Sequence, residues 1–335
     1  MMIATDTPRC PLPMPMGWFQ VLYSHELAVG DAIPVEYFGQ ELVVFRTEAG
    51  EAKVVDAFCP HMGAHLGYGI REQTGKGPRI VGDSIECPFH GWRWNGEGQC
   101  THIPYAKNMP PRVAKGESIL GAWDVREVNQ QILVWYHPKK EAPTWEPEVI
   151  PEAAANHPDW GEMIIHTWDI NAHMQEMGEN AVDAAHFHYV HGTDDVPEAA
   201  FQNFDGHIRE GKFITRQPTP RGVVDGAIET RSQGAGLSVV RFTGIYDTLL
   251  LANVTPVGPE KTYASYAFIQ PRATQETLGK TVGQAIIGNI CQQMAEDQII
   301  WNRKQYFERP LLCDGDGPFA KFRRWFSQFL VEPTA

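Results

Sequence analysis

The sequence predicts an α+β protein in two parts. The first part is all-β. The second is an antiparallel sheet flanked by helices. Three observations point there: short β-branched and aromatic runs with Gly-rich turns up to Tyr136, a Pro-rich stretch after it, and alternating runs between two helix-like stretches in the last half.

In the first part, Leu42-Val43-Val44-Phe45 and Lys53-Val54-Val55-Asp56-Ala57-Phe58 flank Glu48-Ala49-Gly50, a hairpin signal. Arg79-Ile80-Val81 and Ile132-Leu133-Val134-Trp135-Tyr136 read the same way, giving an antiparallel sandwich or small barrel. Pro138, Pro143, Pro147, Pro151 and Pro158 then crowd a charged stretch that reads as a linker. The expected division is residues 1–145, a linker at 146–160, and 161–335. In the second part, His173 to His191 has no Pro and only Gly178, and reads as helical. Alternation from Phe201 to Pro271 predicts the sheet, and Glu276 to Arg309 turns helical again.

Composition narrows the function. Among 335 residues, 28 Lys+Arg stand against 41 Asp+Glu, a net charge of −13. That balance disfavours nucleic acid and anionic lipid, since no basic surplus exists to neutralise phosphates. No stretch approaches the roughly 18 apolar residues of a membrane span. Residues Met1 to Met16 lack a signal-peptide pattern, so a cytoplasmic location is expected. Six Cys do not make a disulfide scaffold, and with 13 His they direct attention to metal chemistry.

Cys59-Pro60-His61 and Cys87-Pro88-Phe89-His90 each follow a strand-like run. Two loops, each offering one thiolate and one imidazole, can grip a metal centre from two sides. Common zinc modules pair two thiolates in one knuckle. The mixed loops suit a [2Fe–2S] cluster with both Cys on one iron and both His on the other. A Cys₂His₂ zinc site is the competing reading. His65, Cys100 and His102 read as structural neighbours.

In Asn180-Ala-Val-Asp183-Ala-Ala-His186-Phe-His188-Tyr-Val-His191, the first three polar residues share one face of a helix. His191 falls about 140° from His186 on an ideal helix, so the helix must end or bulge between them if both bind one metal. Gly192 fits such an end. Two His and one carboxylate on one face of iron(II) leave positions open for O₂ and substrate. Asp297 is the single acid of the stripe Ile290, Met294, Asp297, Trp301, and a carboxylate on such a face needs a strong partner. A metal or an ion pair with a base would serve. Glu296, about 100° round the helix, is the second candidate.

The segments Cys59 to Gly67 and Cys87 to Asn95 resemble a Rieske iron–sulfur domain, with a longer gap between the motifs, in which Arg71 to Pro78 is expected to form an exposed hairpin tip. Asp-x-x-His-x-x-x-x-His resembles the iron motif of Rieske oxygenase catalytic domains. Asp297 to Lys304, Pro310 to Pro318, Arg323-Arg324-Trp325 and Ile103 to Ala106 resemble the oxygenase components of 3-ketosteroid 9α-hydroxylases. The resemblance implies a Rieske [2Fe–2S] domain followed by a catalytic domain of helix-grip, START-like form. It implies cluster ligands Cys59, His61, Cys87 and His90, and mononuclear Fe(II) ligands His186, His191 and Asp297. It makes Asp183 the acid bridging the two centres and places Asn180 close to the iron. His173 and His188 are left as structural.

The same resemblance implies a terminal oxygenase that uses O₂ and electrons from NADH through a separate flavin/iron–sulfur reductase, assembled as a homotrimer. A steroid hydroxylated at an unactivated C–H is the implied reaction, with desaturation or oxidative demethylation of an apolar substrate as the alternative. A pure electron carrier would leave the second ligand set without a use, and a zinc-stabilised binding module would be colourless.

Overall fold

The structure is a computed structural model and describes residues 8–69, 79–219 and 222–332. The expected hairpin tip at 71–78 lies outside the described residues. The chain forms two compact units. One comprises Gln20–Tyr136 with Ala142–Pro147. The other takes the described residues through Phe19, His137–Glu141 and those from Glu148 onward.

The first unit is all-β. Its strands are β1 (Gly17–Tyr23, from Gln20 onward in this unit), β2 (Ala32–Tyr37), β3 (Gln40–Arg46), β4 (Ala52–Asp56), β5 (Arg79–Val81), β6 (Ser84–Glu86), β7 (Arg93–Asn95), β8 (Cys100–His102), β9 (Val125–Val128) and β10 (Gln131–Tyr136), with a short helix, α1 (Pro111–Ala114). They form sheets of order β1-β10-β9, β2-β3-β4 and β5-β6-β7-β8, with β9 on β10 and every pair of the other two sheets antiparallel. The expected hairpin is β3 on β4, in register Val43↔Val55. The β-branched runs bury Val43, Phe45, Val55, Ile85, Trp94 and Leu120 in one core that also holds Cys59 and Cys87.

The second unit is α+β. Its strands are β11 (Ile164–Ile170), β12 (Glu198–Asp205), β13 (Ile208–Thr219), β14 (Gly222–Gln233), β15 (Leu237–Thr243), β16 (Thr248–Gly258) and β17 (Lys261–Ile269). They make one antiparallel sheet of order β11-β17-β16-β15-β14-β13-β12, a meander closed at one edge by the earliest strand. Its helices are α2 (Met174–Gly178), α3 (Ala185–Tyr189), α4 (Arg272–Leu278), α5 (Lys280–Trp301) and α6 (Phe319–Phe326). Alternation decides the faces: Ser238, Val240 and Phe242 face a cavity, whereas Arg241 between them pairs with Glu152 (2.7 Å). The long helix α5 lays Ile287, Met294, Asp297 and Trp301 inward.

The expected helix over 173–191 is three pieces. After α2 comes a short 3₁₀ turn, Glu179–Val182, and Asp183 is extended (φ −99°, ψ 110°). The cause is Asp183 itself. Its Oδ1 accepts from the backbone N–H of Ala185 (2.9 Å) and His186 (3.3 Å), a side-chain alternative to the helix ladder. So Asn180, Asp183 and His186 do not share a continuous helix. The 3₁₀ turn is held from outside. Buried Glu179 pairs with Lys304 (3.0 Å) and Arg323 (2.7 Å), and buried Arg209 donates to the Ala181 carbonyl and to Gln202 Oε1 (2.8 Å). Among the described residues, no helix is long and apolar enough to cross a membrane.

Candidate functional site

Cys59, His61, Cys87 and His90 sit on two loops of one design. In the first, the N–H of Gly63 donates to the Cys59 carbonyl (2.9 Å). In the second, the N–H of Gly91 donates to the Cys87 carbonyl (3.0 Å). Both glycines have positive φ, +73° and +71°, which lets each loop turn back on its cysteine. Both cysteines are nearly fully buried. The ring centroids of His61 and His90 lie 4.9 Å apart, and both Nδ1 atoms are buried with no hydrogen-bond partner. Buried unpaired imidazole nitrogens are costly unless something accepts their lone pairs. Trp94 Nε1 donates to Cys59 Sγ (3.3 Å). The hydrogen bond with Cys59, against burial, and then the backbone N–H groups of Phe89 and His90, push the Cys87 thiol down to about 6. The same bond, with burial, pushes Cys59 up. Two buried sulfurs with N–H donors and two unpaired Nδ1 atoms fit a [2Fe–2S] cluster with mixed ligands.

The neighbours of this quartet are otherwise engaged. His65 takes the N–H of Gly67 on Nδ1 (2.9 Å) and faces Glu41 (3.2 Å). The Cys100 thiol, raised by burial, points to the His102 carbonyl. Trp92 stacks on His61 at 4.3 Å and 9° and donates to Tyr105 OH (2.8 Å).

In the second unit, His186, His191 and Asp297 converge. Each offers one ligand atom, and these atoms lie within 4.8 Å of one another. The end of α3 makes this possible. The N–H groups of Val190 (2.8 Å) and His191 (3.4 Å) both donate to the His186 carbonyl, and Gly192 follows with φ +68°. This end turns His191 back toward His186, with ring centroids 5.1 Å apart. His186 Nδ1 faces the Asp183 carbonyl (2.7 Å), and the Asp183 carboxylate stands farther off (3.9 Å). His191 Nε2 faces Asp297 Oδ1 (3.4 Å), and its Nδ1 faces Glu296 (2.9 Å). Glu296, the second candidate ligand, therefore lies on the far side of the ring from the cluster. Burial lowers His186, outweighing the nearby carboxylates. Burial also opposes charging His191, but its bonds to Asp297 and Glu296 outweigh it and raise it. Two imidazoles, each held on its outer nitrogen, and one carboxylate suit a facial Fe(II) triad.

The three groups border a cavity of about 230 Å³. Asn180 also borders it, as do Met174, Met177, Leu250 and Phe322. Its strand wall carries one polar pair, Ser238 Oγ donating to Ser232 Oγ (2.9 Å). Burial first, and then the charge of Asp297, raise the Tyr266 hydroxyl. His173 and His188 are used elsewhere. His173 caps α2 and faces the Pro13 carbonyl (3.0 Å), and His188 faces the Thr193 carbonyl (2.5 Å).

Residues 17–118 match the Rieske [2Fe-2S] domain, and residues 134–330 match the 3-Ketosteroid 9alpha-hydroxylase C-terminal domain. The chain belongs to the Rieske oxygenases of the 3-ketosteroid 9α-hydroxylase family. A Rieske oxygenase of this kind carries a [2Fe–2S] cluster and a mononuclear iron. It is 32% identical to the 3-ketosteroid-9-alpha-monooxygenase oxygenase component of Rhodococcus rhodochrous, over 94% of this chain and 82% of that one. It is also 32% identical to the cholesterol 7-desaturase of Xenopus laevis, over 94% of this chain and 71% of that one. The fold of this oxygenase is shared with dicamba monooxygenase (TM-score 0.71, 15% identity, 93% and 96% coverage).

Sequence reading missed the partner of His191, because nothing in the order Glu296-Asp297 says which side of a ring each acid takes. Beyond Asn180, His186, His191 and the helix stripe it named no cavity residue. The alternation of β14 to β17 was the available signal.

Proposed function

We propose that this Rieske steroid oxygenase is the terminal component of a multicomponent monooxygenase, hydroxylating a steroid with O₂ and electrons from NADH delivered by a separate flavin/iron–sulfur reductase. The observation that carries the reading is the His186, His191, Asp297 cluster opening on a mostly apolar cavity. We assign Cys59, His61, Cys87 and His90 to the cluster and His186, His191 and Asp297 to the iron. When bound, these groups supply single electrons and O₂ activation.

The chain's own residues do the rest. Met174, Met177, Leu250 and Phe322 exclude water and hold an apolar ring system against the site. Ser232 and Ser238 are placed to take an oxygen of the substrate and so fix its orientation. Asn180 borders the space beside His186. We assign Asp183 as the link from His186 to the partner subunit's His90 within a homotrimer. The proposal keeps the division into 1–145, 146–160 and 161–335, with the segment around Cys10 folding into the catalytic unit.

A screen of steroids with a surrogate reductase, following O₂ uptake and product mass, tests this. A product one oxygen atom heavier supports it. O₂ uptake with unchanged substrate across the steroid series refutes it. The equal identity to a cholesterol 7-desaturase favours one second reading, removal of two hydrogens by the same machinery. A product two hydrogens lighter selects it. The same measurement registers oxidative demethylation as loss of a methyl group.

A further inference from the structure

His191 is held on both ring nitrogens by consecutive residues of α5. Glu296 Oε2 lies 2.9 Å from Nδ1, and Asp297 Oδ1 lies 3.4 Å from Nε2. Neighbouring residues of a helix point about 100° apart, so one turn of helix can bracket an imidazole lying across it. The His191 side chain is only 2% exposed, so its ring is not free to exchange these partners for water.

The chemistry of the two contacts differs. A carboxylate can only accept, so the bond to Glu296 requires the hydrogen on Nδ1. Nε2 faces the Asp297 carboxylate at a longer 3.4 Å, and a metal shared with Asp297 would take the Nε2 lone pair in place of a proton while Nδ1 keeps its hydrogen for Glu296. Glu296 is itself held, because Gln292 Nε2 donates to its other oxygen (2.9 Å) from one turn earlier. On His186 the acid beside the outer nitrogen, Asp183, keeps its carboxylate 3.9 Å off, beyond hydrogen-bond reach. The His186 Nδ1 faces the neutral carbonyl of Asp183 at 2.7 Å. The two imidazoles are therefore anchored by unlike acceptors, one charged and one neutral. A charged acceptor on the outer nitrogen makes the inner nitrogen a stronger electron-pair donor and fixes its direction.

We infer that Glu296 is a positioning residue that sets the tautomer of His191 and strengthens its hold on the catalytic metal. The inference rests on the assignment of iron to His186, His191 and Asp297, and it adds a fourth residue on which that site depends. Glu296 touches neither the cavity nor, on this geometry, the metal. Its effect passes through one ring.

The test uses the full chain with its cluster assembled and compares wild type with Glu296→Gln and Glu296→Ala. Iron and acid-labile sulfide are measured together, and Fe(II) affinity of the catalytic site is measured by chelator competition. Loss of an outer partner of a metal-bound His lowers affinity by about 10–100-fold, the fall expected for Glu296→Ala. Glu296→Gln keeps an oxygen acceptor for the Nδ1 hydrogen but removes the charge, so its fall is smaller than that of Ala. Both variants shift the EPR spectrum of the iron probed with nitric oxide, a signature that a merely structural role would not move. The cluster's visible absorption stays unchanged in each and reports folding. Glu296 is partly exposed and the Gln variant has its shape, so that variant decides if the Ala variant does not fold. Affinity within about twofold of wild type and an unchanged nitric oxide spectrum in the Gln variant overturn the inference. Wild type that binds no iron beyond the cluster overturns the iron assignment instead, and the two failures are distinct.

Discussion

Glu179→Ala is expected to loosen the turn that carries Asn180. Glu179 is 3% exposed and is reached by two cations, Lys304 Nζ at 3.0 Å and Arg323 Nε at 2.7 Å. Lys304 follows α5 and Arg323 belongs to α6, so one carboxylate ties three parts of the chain. A hydrogen bond to a charged group contributes about 1.5–3 kcal/mol. The low end applies to both bonds. The two cations retain 32% and 18% side-chain exposure, and Arg323 keeps the Phe307 carbonyl (2.7 Å) and the Glu308 carbonyl (3.2 Å). The loss is therefore about 3 kcal/mol, the size typical of breaking a buried ion pair. For a domain of about this size each kcal/mol moves Tm by about 2–4 °C, giving a fall of about 6–12 °C. Scanning calorimetry and far-ultraviolet circular dichroism would read it, with the cluster's visible absorption as a second probe confined to the other unit. A fall under about 3 °C would show that the bonds to Glu179 are matched by solvation of the free partners, and the reasoning would fail.

Other expectations follow from single contacts. Gly317→Ala would place a Cβ 1.7 Å from the Val182 carbonyl oxygen, backbone against backbone, so the segment before Asp183 must shift. Destabilisation of about 2 kcal/mol or more in denaturant titration, with reduced turnover, is the expected result, and wild-type stability would refute the close packing. Glu176 is buried, and burial raises its carboxyl against the pull of Lys304. A group raised in the folded state contributes stability below its unfolded pKa and loses it as pH rises through the folded value. Glu176→Gln stays neutral, so its Tm should gain on wild type as pH rises above the ordinary carboxylate range, whereas a constant difference would refute the assignment. Asp183→Asn keeps an oxygen acceptor for the N–H groups of Ala185 and His186 and leaves the backbone carbonyl on His186. It should retain both metals by iron and sulfide analysis while nearly abolishing coupled turnover, and normal steady-state activity would sink the bridging role.

Some of this was legible in the sequence and some was not, for physical reasons. The hairpin of β3 and β4 was legible because its β-branched runs and Gly50 turn act locally. The quartet Cys59, His61, Cys87, His90 was legible because rare residue types recur in matching short loops. The helix expected over 173–191 failed at Asp183, where a side chain outcompetes a backbone bond and periodicity carries no trace of it. The stripe Ile290, Met294, Asp297, Trp301 does face inward, since burying Met294 and Trp301 sets the rotation of α5. The same rotation puts Glu296 behind His191, which became visible only with α3 in place. The cavity wall needs the register of four strands, such as Tyr266↔Ala252 and Ala252↔Ser238, and no local pattern supplies it.

The cavity is built from two kinds of element. The candidate ligands come from α5, from α3 and from the turn just after it, while Ser232, Ser238, Val240, Leu250 and Ala252 come from strands. Strand side chains alternate, so an inward residue can be exchanged while its outward neighbour and the backbone ladder stay as they are. For an engineer this separates two problems. Substituting Ala252 or Val240 retailors the space a substrate must fit, and no ligand-bearing helix has to move. Retargeting such a catalyst is then a matter of recutting one wall, a residue at a time, around a fixed flame.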